Sequence, residues 1–330
     1  MKPVALTLGD PAGIGCEITL KAWKALREEL CFFLIGDLAH VAHMAQAQNV
    51  PVTPIQSPAE APAAMQQGLP VLKHALPHAA PAGRPDPANA AAVIEIIRRG
   101  VELVRRGEAS ALCTNPINKK ALQSGAGFAF PGHTEFLAHL SNAPLPVMML
   151  ASPLLRVVPV TIHIPIAEVP RQLTADLLEA TVRVTHAALR ADFGIEDPRI
   201  AIAGLNPHAG EQGAIGQEER TVIRPALDRL EADGLNVTGP FAADTMFHPV
   251  ARRNYDVALC MYHDQALIPI KTLDFDGGVN VTLGLDFIRT SPDHGTAYDI
   301  AGTGTASPSS LIAALRLAAE LGARRAARAT

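Results

Sequence analysis

The chain has 330 residues, 48% hydrophobic and 18% charged, with a formal net charge of −4. This composition supports a real core, in one large α/β unit or in two domains, and the mild charge argues against a nucleic-acid or membrane partner. Cys16, Cys31, Cys113 and Cys260 are scattered with no CxxC pair, which argues against a disulfide framework or a zinc–thiolate site and for a reducing compartment. The apolar run in MKPVALTL is too short for a signal peptide, and no stretch approaches a membrane span. A cytoplasmic protein is therefore expected, with the basic tail GARRAARAT reading as a helix end.

In chain order, VALTL reads as a buried strand, GDPAGIG as a turn, and CEITLKAWKALREEL as a helix with apolar spacing through Ile18, Ala22, Ala25 and Leu26. CFFLIGD is a second strand and LAHVAHMAQAQ a second helix. Residues 51–88 are rich in Pro and Ala and predict an irregular excursion with short strand-like pieces such as PVLKHAL. NAAAVIEIIRRGVELVRRG is strongly amphipathic, and ASALCTNP is a strand entering a loop. PVMMLAS and LRVVPVTIHIPI predict neighbouring strands, with a hairpin around Pro153. TADLLEATVRVTHAALRADFG is a long helix stopped by Gly194. RIAIAGLNPHAG is a strand into a loop, and GQEERTVIRPALDRLEADG is a helix disturbed by Pro225. GVNVTLGL is a further strand, and a last helix starts near Ser309. Alternating strands and helices predict an α/β fold with sheets covered on both faces.

Polar residues at the C-terminal ends of strands are the usual active-site positions in such folds. Three strand-end loops carry a histidine: His163 in VTIHIPI, His208 in GLNPHAGEQG and His263 in CMYHDQ. Any one of them alone reads as a structural hydrogen-bonder. Three in separate strand-end loops suit a divalent metal with open coordination positions, although spacing alone leaves their convergence open. In PGHTEFLAHL, Thr134 reads as a helix N-cap beside His133, and a helix N-terminus is an anion site. Lys271, Asn280 and Arg289 lie nine residues apart and flank strand-like runs. A Lys and an Arg around glycine-rich loops suit a phosphate or carboxylate, or simply a solvated surface. GDPAGIG is neither GxGxxG nor a P-loop, so a Rossmann dinucleotide site is unsupported.

The blocks GDPAGIG, NPINK, GHTEFLA, LRVVPVTIHIP, GLNPHAGE, ADTMF, MYHDQALIPIKTLDFDGGVNVTLGL and FIRTSPDHGTAYDIAGTG run nearly end to end. Together they resemble the 4-hydroxythreonine-4-phosphate dehydrogenases of vitamin B6 biosynthesis. The last block is similar to the cofactor loop of the isocitrate and isopropylmalate dehydrogenases. The resemblance implies an isocitrate/isopropylmalate dehydrogenase-like fold of two α/β/α domains with the active site in the cleft between them. Residues 1–130 with 275–330 would form one domain and 131–274 the other. It also implies a metal (zinc, magnesium or cobalt) on His163, His208 and His263, shared across a homodimer. Substrate contacts would come from His133, Thr134, Lys271, Asn280 and Arg289, with Lys271 the candidate for proton transfer. NAD or NADP would lie on His294, Gly295, Thr296, Ala297, Asp299, Ile300 and Gly302.

The implied reaction is oxidation of 4-phosphooxy-L-threonine at C3, followed by decarboxylation, with Asp264 or Asp244 orienting a ligand. Three departures from the family pattern are Asp10 in place of Glu, Gln212 in place of Gly, and Asp286 in place of Pro. Asp286 adds negative charge near the expected anion site. Rival expectations are a paralogue acting on 4-phospho-D-threonate, phospho-erythronate or a dihydrodiol, and a three-histidine metallohydrolase or non-redox metal-binding protein. The DHGTAYDIAGTG loop speaks against the last two, because hydrolysis needs no dinucleotide.

Overall fold

A computed structural model describes residues 2–328. The chain divides into two compact units, Met1–Pro144 with Leu285–Thr330, and Leu145–Gly284. Both boundaries fall later in the chain than the expected ones, so His133 and Thr134 belong to the first unit.

The first unit contains strands β1 (Val4–Thr7), β2 (Phe32–Gly36), β3 (Val52–Ile55), β4 (Leu69–Lys73) and β5 (Leu112–Thr114). Its helices are α1 (Gly15–Leu26), α2 (Leu38–Gln48), α3 (Ala61–Met65), α4 (Ala90–Arg105), α5 (Lys119–Ala126) and α6 (His133–Ser141). The second unit contributes β6 (Val147–Ala151), β7 (Arg156–Pro159), β8 (Ile200–Ala203), β9 (Val237–Phe241), β10 (Val257–Cys260) and β11 (Val279–Leu283). Its helices are α7 (Val169–Gln172), α8 (Ala175–Ala191), α9 (Arg224–Ala232) and α10 (His263–Leu273). The chain then returns to the first unit with β12 (Arg289–Pro292) and α11 (Ser309–Arg328).

The sheet of the first unit runs in the order β3-β4-β2-β1-β5-β12 and all its pairings are parallel. Parallel sheets are covered on both faces, so their strands read as unbroken apolar runs rather than alternating ones. VALT and FFLIG fit that rule, with every residue buried. α4 packs Val93, Ile96, Ile97 and Val101 against this sheet. Gly100 lets it approach closely, since a Cβ there would lie 2.7 Å from Leu112 Cδ1. Helix starts are fixed by side-chain caps. Asp37 accepts from His40 N at 2.7 Å, and Asn118 accepts from Ala121 N at 3.0 Å. Such caps contribute about 1 kcal/mol each.

Residues 51–88 are regular up to Lys73 and irregular, as expected, from His74 to Asp86. β3 and β4, with α3 between them in the chain, form one edge of the parallel sheet, and β4 is the strand-like piece expected in PVLKHAL. The prolines that suggested irregularity, Pro54 and Pro70, sit inside strands that pair with each other.

In the second unit the order is β11-β6-β7-β10-β8-β9. β11, β6 and β7 pair antiparallel, with the expected hairpin around Pro153, while β7, β10, β8 and β9 pair parallel. Its core gathers Leu150, Val157, Ala201, Ala258, Cys260 and Ile270. Lys271 does not flank a strand: Ala266, Leu267 and Ile270 recur at helical spacing and bury one face of α10, leaving Lys271 in its last turn.

Candidate active site

In the second unit β7, β10 and β8 are adjacent and parallel, so their C-terminal ends share one edge of the sheet. His163 lies in the loop after β7, His263 opens α10 after β10, and His208 lies in the turn after β8. The rings of His163 and His263 stand 5.8 Å apart, centroid to centroid. They line a cavity of about 240 Å³ with Thr161, Ile162, Tyr262 and Asp264. His263 Nδ1 is 2.7 Å from Asp264 Oδ1. A carboxylate on one ring nitrogen is the arrangement that orients an imidazole and turns its other nitrogen toward a ligand. Asp264, rather than Asp244, is the carboxylate His263 meets.

His163 has φ 42° and His208 φ 54°. Left-handed backbone at non-glycine residues is strained and clusters at functional sites. His208 does not line the cavity of the other two, and among the described residues no group of three His, Cys, Asp or Glu side chains could hold a metal. The chain therefore brings two of the three expected ligands together. Two neighbouring imidazoles, one oriented by a carboxylate, fit a borderline divalent ion such as zinc or cobalt. In the same unit Asn280 Oδ1 on β11 is buried without a protein partner, and the Lys271 ammonium lies 5.7 Å from the Phe275 ring centroid.

In the first unit the chain order reverses at β1 and β5: β2 lies on one side of β1 and β5 on the other. Ligands of open α/β sheets bind outside the strand ends at such a switch point. Arg289 opens β12 beside β5 and is only 3% exposed. Its Nε and Nη2 donate to Thr114 Oγ1 at 3.3 and 2.8 Å. Burial pushes its pKa down to about 10, so the guanidinium remains charged at neutral pH. Burial, and then the charge of Arg289, hold the His133 imidazole well below its ordinary pKa. His133 is therefore neutral, and its buried Nε2 has no protein partner.

Thr134 is not the N-cap. Gly132 takes that position and Thr134 is the second residue of α6. Asp286 also departs from expectation. Its carboxylate pairs with Arg105 Nε at 3.0 Å, and the carboxylate whose charge acts on Arg289 is that of Glu135.

The loop after β12 carries His294, Gly295, Thr296, Ala297, Asp299, Ile300 and Gly302. It is tied to the β1–α1 turn and α1 by contacts that sequence reading missed. Ile14 N donates to Thr296 O at 3.0 Å. Tyr298 donates to Asp10 Oδ2 at 2.7 Å and accepts from Asn118 Nδ2 at 2.8 Å. Burial, and then the bond to Asp10, push the Tyr298 phenol up to about 12. The buried Glu17 carboxylate accepts from Gly302 N and Ala306 N, and Lys21 bridges Glu17 to the carbonyls of Gly304 and Ala306. A Glu and a Lys four apart on a helix look like an ordinary surface pair, so no local signal marks this clamp. His294 Nε2 is buried without a protein partner, Ala297 is left-handed at φ 46°, and Asp299 and Ile300 are exposed.

This arrangement is that of an α/β protein with histidine-bearing strand-end loops in one unit and a buried arginine at the sheet switch point of the other. The model of the family described as pyridoxal phosphate biosynthetic protein PdxA matches residues 28–318. A 4-hydroxythreonine-4-phosphate dehydrogenase of Paracoccus denitrificans is 56% identical over 328 residues, covering 98% of this chain and 99% of that protein. Among solved structures, the 4-hydroxythreonine-4-phosphate dehydrogenase of Klebsiella pneumoniae superposes with a TM-score of 0.89 at 38% identity, covering 98% of this chain and 100% of that one. A terephthalate 1,2-cis-dihydrodiol dehydrogenase of Burkholderia xenovorans superposes less well, with a TM-score of 0.67 at 29% identity, covering 96% of this chain and 97% of that one. The chain belongs to the PdxA family, and membership makes it an oxidoreductase of pyridoxal phosphate biosynthesis. Among the described residues no helix is long and apolar enough to cross a membrane.

Proposed function

We propose that the protein oxidises 4-phosphooxy-L-threonine at C3 with NAD or NADP, giving 2-amino-3-oxo-4-phosphooxybutanoate, which loses CO2 to form 3-amino-2-oxopropyl phosphate. The observation that carries the reading is the buried pair of cationic Arg289 and neutral His133, in a chain similar along nearly its whole length to proteins named for this activity.

A phosphate accepts a guanidinium's planar fork in two parallel bonds, and Arg289 is a buried guanidinium beside neutral His133. Thr114 holds that fork in place, and His133 offers its unpartnered Nε2 as a further polar contact. The first-turn N–H groups of α6, including that of Thr134, favour negative charge. Asn280, with its buried Oδ1, and Lys271 supply the remaining substrate contacts. Lys271 also serves for proton transfer. The loop from His294 to Gly302 holds the dinucleotide, and its ties to Asp10, Glu17 and Lys21 fix its shape before the cofactor arrives. When bound, the nicotinamide accepts the hydride. His163, His208 and His263 would hold a divalent ion, whose positive charge would lower the pKa of the C3 hydroxyl and favour loss of CO2.

We also propose a homodimer in which His208 of one subunit completes the pair His163 and His263 of the other. Ile166, Val250, Ile268 and Phe275 of the second unit are each more than 60% exposed, and subunit contacts commonly cover exposed apolar side chains. The four cysteines are free, which supports a cytoplasmic setting.

The test is direct. Purified protein with a divalent metal and NAD+ or NADP+ is given 4-phosphooxy-L-threonine, 4-phospho-D-threonate, phospho-erythronate or a dihydrodiol, and reduced nicotinamide is followed by absorbance. Highest kcat/KM on 4-phosphooxy-L-threonine is expected. A higher value on any of the others would replace the substrate assignment.

A further inference from the structure

We infer that Glu219 is a positioning residue for His208, its buried carboxylate holding the strained turn that presents the imidazole. The inference rests on His208 being a metal ligand, as proposed above.

After β8 the backbone enters an uncommon conformation. His208, Ala209, Gly210, Glu211 and Gln212 all have left-handed φ and ψ. For an L-residue this conformation brings Cβ too close to the following carbonyl oxygen, and four of the five are not glycine. Such a turn persists only where its surroundings over-determine it. The surroundings here converge on one side chain. Glu219 is 5% exposed. Its Oε1 accepts from Leu205 N at 2.8 Å and Asn206 N at 2.7 Å, and its Oε2 accepts from Asn206 Nδ2 at 2.9 Å. Asn206 Nδ2 also reaches Glu218 Oε2 at 2.7 Å. These bonds fix the residues that lead into Pro207 and His208.

The far side of the turn closes on the same carboxylate. A Cβ on Gly210 would lie 2.5 Å from Glu219 Oε2, so the left-handed strand of backbone passes directly over it. Glu219 itself opens a π-helical stretch, Glu219–Ile223, just before Pro225, and such stretches recur at functional sites. Glu219 has no place in the proposed chemistry. Its carboxylate accepts from Leu205 and Asn206, which lead into the turn that carries His208.

Outer partners that orient metal ligands commonly change metal affinity by about 10–100-fold when removed. The experiment is a Co2+ titration of the metal-free full chain by calorimetry, with the Co2+ absorption spectrum recorded at saturation. The variants are Glu219→Ala, Glu219→Gln, His208→Ala and the Glu219→Ala/His208→Ala double. Glu219→Ala is expected to weaken Co2+ binding about tenfold or more and to shift the spectrum toward that of His208→Ala. Glu219→Gln, which keeps one acceptor for the two backbone N–H groups, should lose less. It also serves should the alanine variant fail to fold. The double variant should bind no more weakly than His208→Ala alone. Two results overturn the inference: wild-type affinity and spectrum in both Glu219 variants while His208→Ala is impaired, or losses that simply add. Unchanged affinity in His208→Ala would instead overturn the ligand assignment beneath it, and the inference with it.

Discussion

Arg289 donates two hydrogen bonds, from Nε and Nη2, to the single hydroxyl of Thr114 at the end of β5. The hydroxyl of Thr114 is neutral, so it aims the buried guanidinium without neutralising it. A hydrogen bond to a charged group contributes roughly 1.5–3 kcal/mol. Thr114→Val keeps the shape and removes the acceptor. KM for the phosphorylated substrate should rise about tenfold or more, with Thr114→Ser restoring most of it. Steady-state kinetics on the three proteins checks this, and an unchanged KM in Thr114→Val would show that Arg289 needs no guide.

His133 gives the fold a pH dependence of known sign. Its folded pKa lies well below the ordinary value of 6.5 because of burial and then Arg289. Between the two values the unfolded chain binds the proton and the folded chain does not, so stability rises with pH there. The contribution is complete above pH 6.5 and is lost as pH falls below it. Urea unfolding of wild type and His133→Asn between pH 5 and 7.5 should show a steeper acid loss in wild type. Parallel curves would mean that His133 protonates in the folded state.

Gln212 occupies a backbone position with φ 57°. Glycine relieves the left-handed penalty of roughly 1–2 kcal/mol but adds roughly 0.4–1 kcal/mol of unfolded-state entropy. Gln212→Gly should therefore stabilise the protein by about 0.5–1 kcal/mol, read as a small rise in denaturation midpoint. A fall would show that the Gln side chain makes a contact worth more than the strain.

His163 and His263 meet within one chain, while His208 lies apart from their cavity. On the proposed shared site, mixing inactive His208→Ala and His263→Ala proteins builds one intact site in each heterodimer. Random exchange should restore about a quarter of wild-type activity, from the symmetry of a two-fold dimer. Mixing His163→Ala with His263→Ala should restore none, since each site then lacks one of the pair. The reverse pattern, after confirmed subunit exchange, would place His163 and His263 on different subunits.

The sequence by itself determined the alternation of strands and helices, most element positions, and the family to which the chain belongs. Those signals are local: buried parallel strands such as FFLIG read as unbroken apolar runs, helices such as α4 carry their own period, and motif blocks such as GLNPHAGE are contiguous in the chain. It anticipated β4 and the irregular stretch 74–86 but missed β3, because the proline in VTPI is a local signal while strand pairing is decided by the neighbouring β4. It placed Asp286 near the anion site, since three residues separate it from Arg289, whereas the fold hands its carboxylate to Arg105. Only the tertiary structure decided which charges meet. Glu17 clamps a loop more than 280 residues away, and Glu219 grips a turn whose strain no composition betrays. Likewise, of the three strand-end histidines, two share a cavity because β7 and β10 are adjacent. Strand order is a property of the packed sheet, set by which apolar faces bury one another, and no local spacing encodes it.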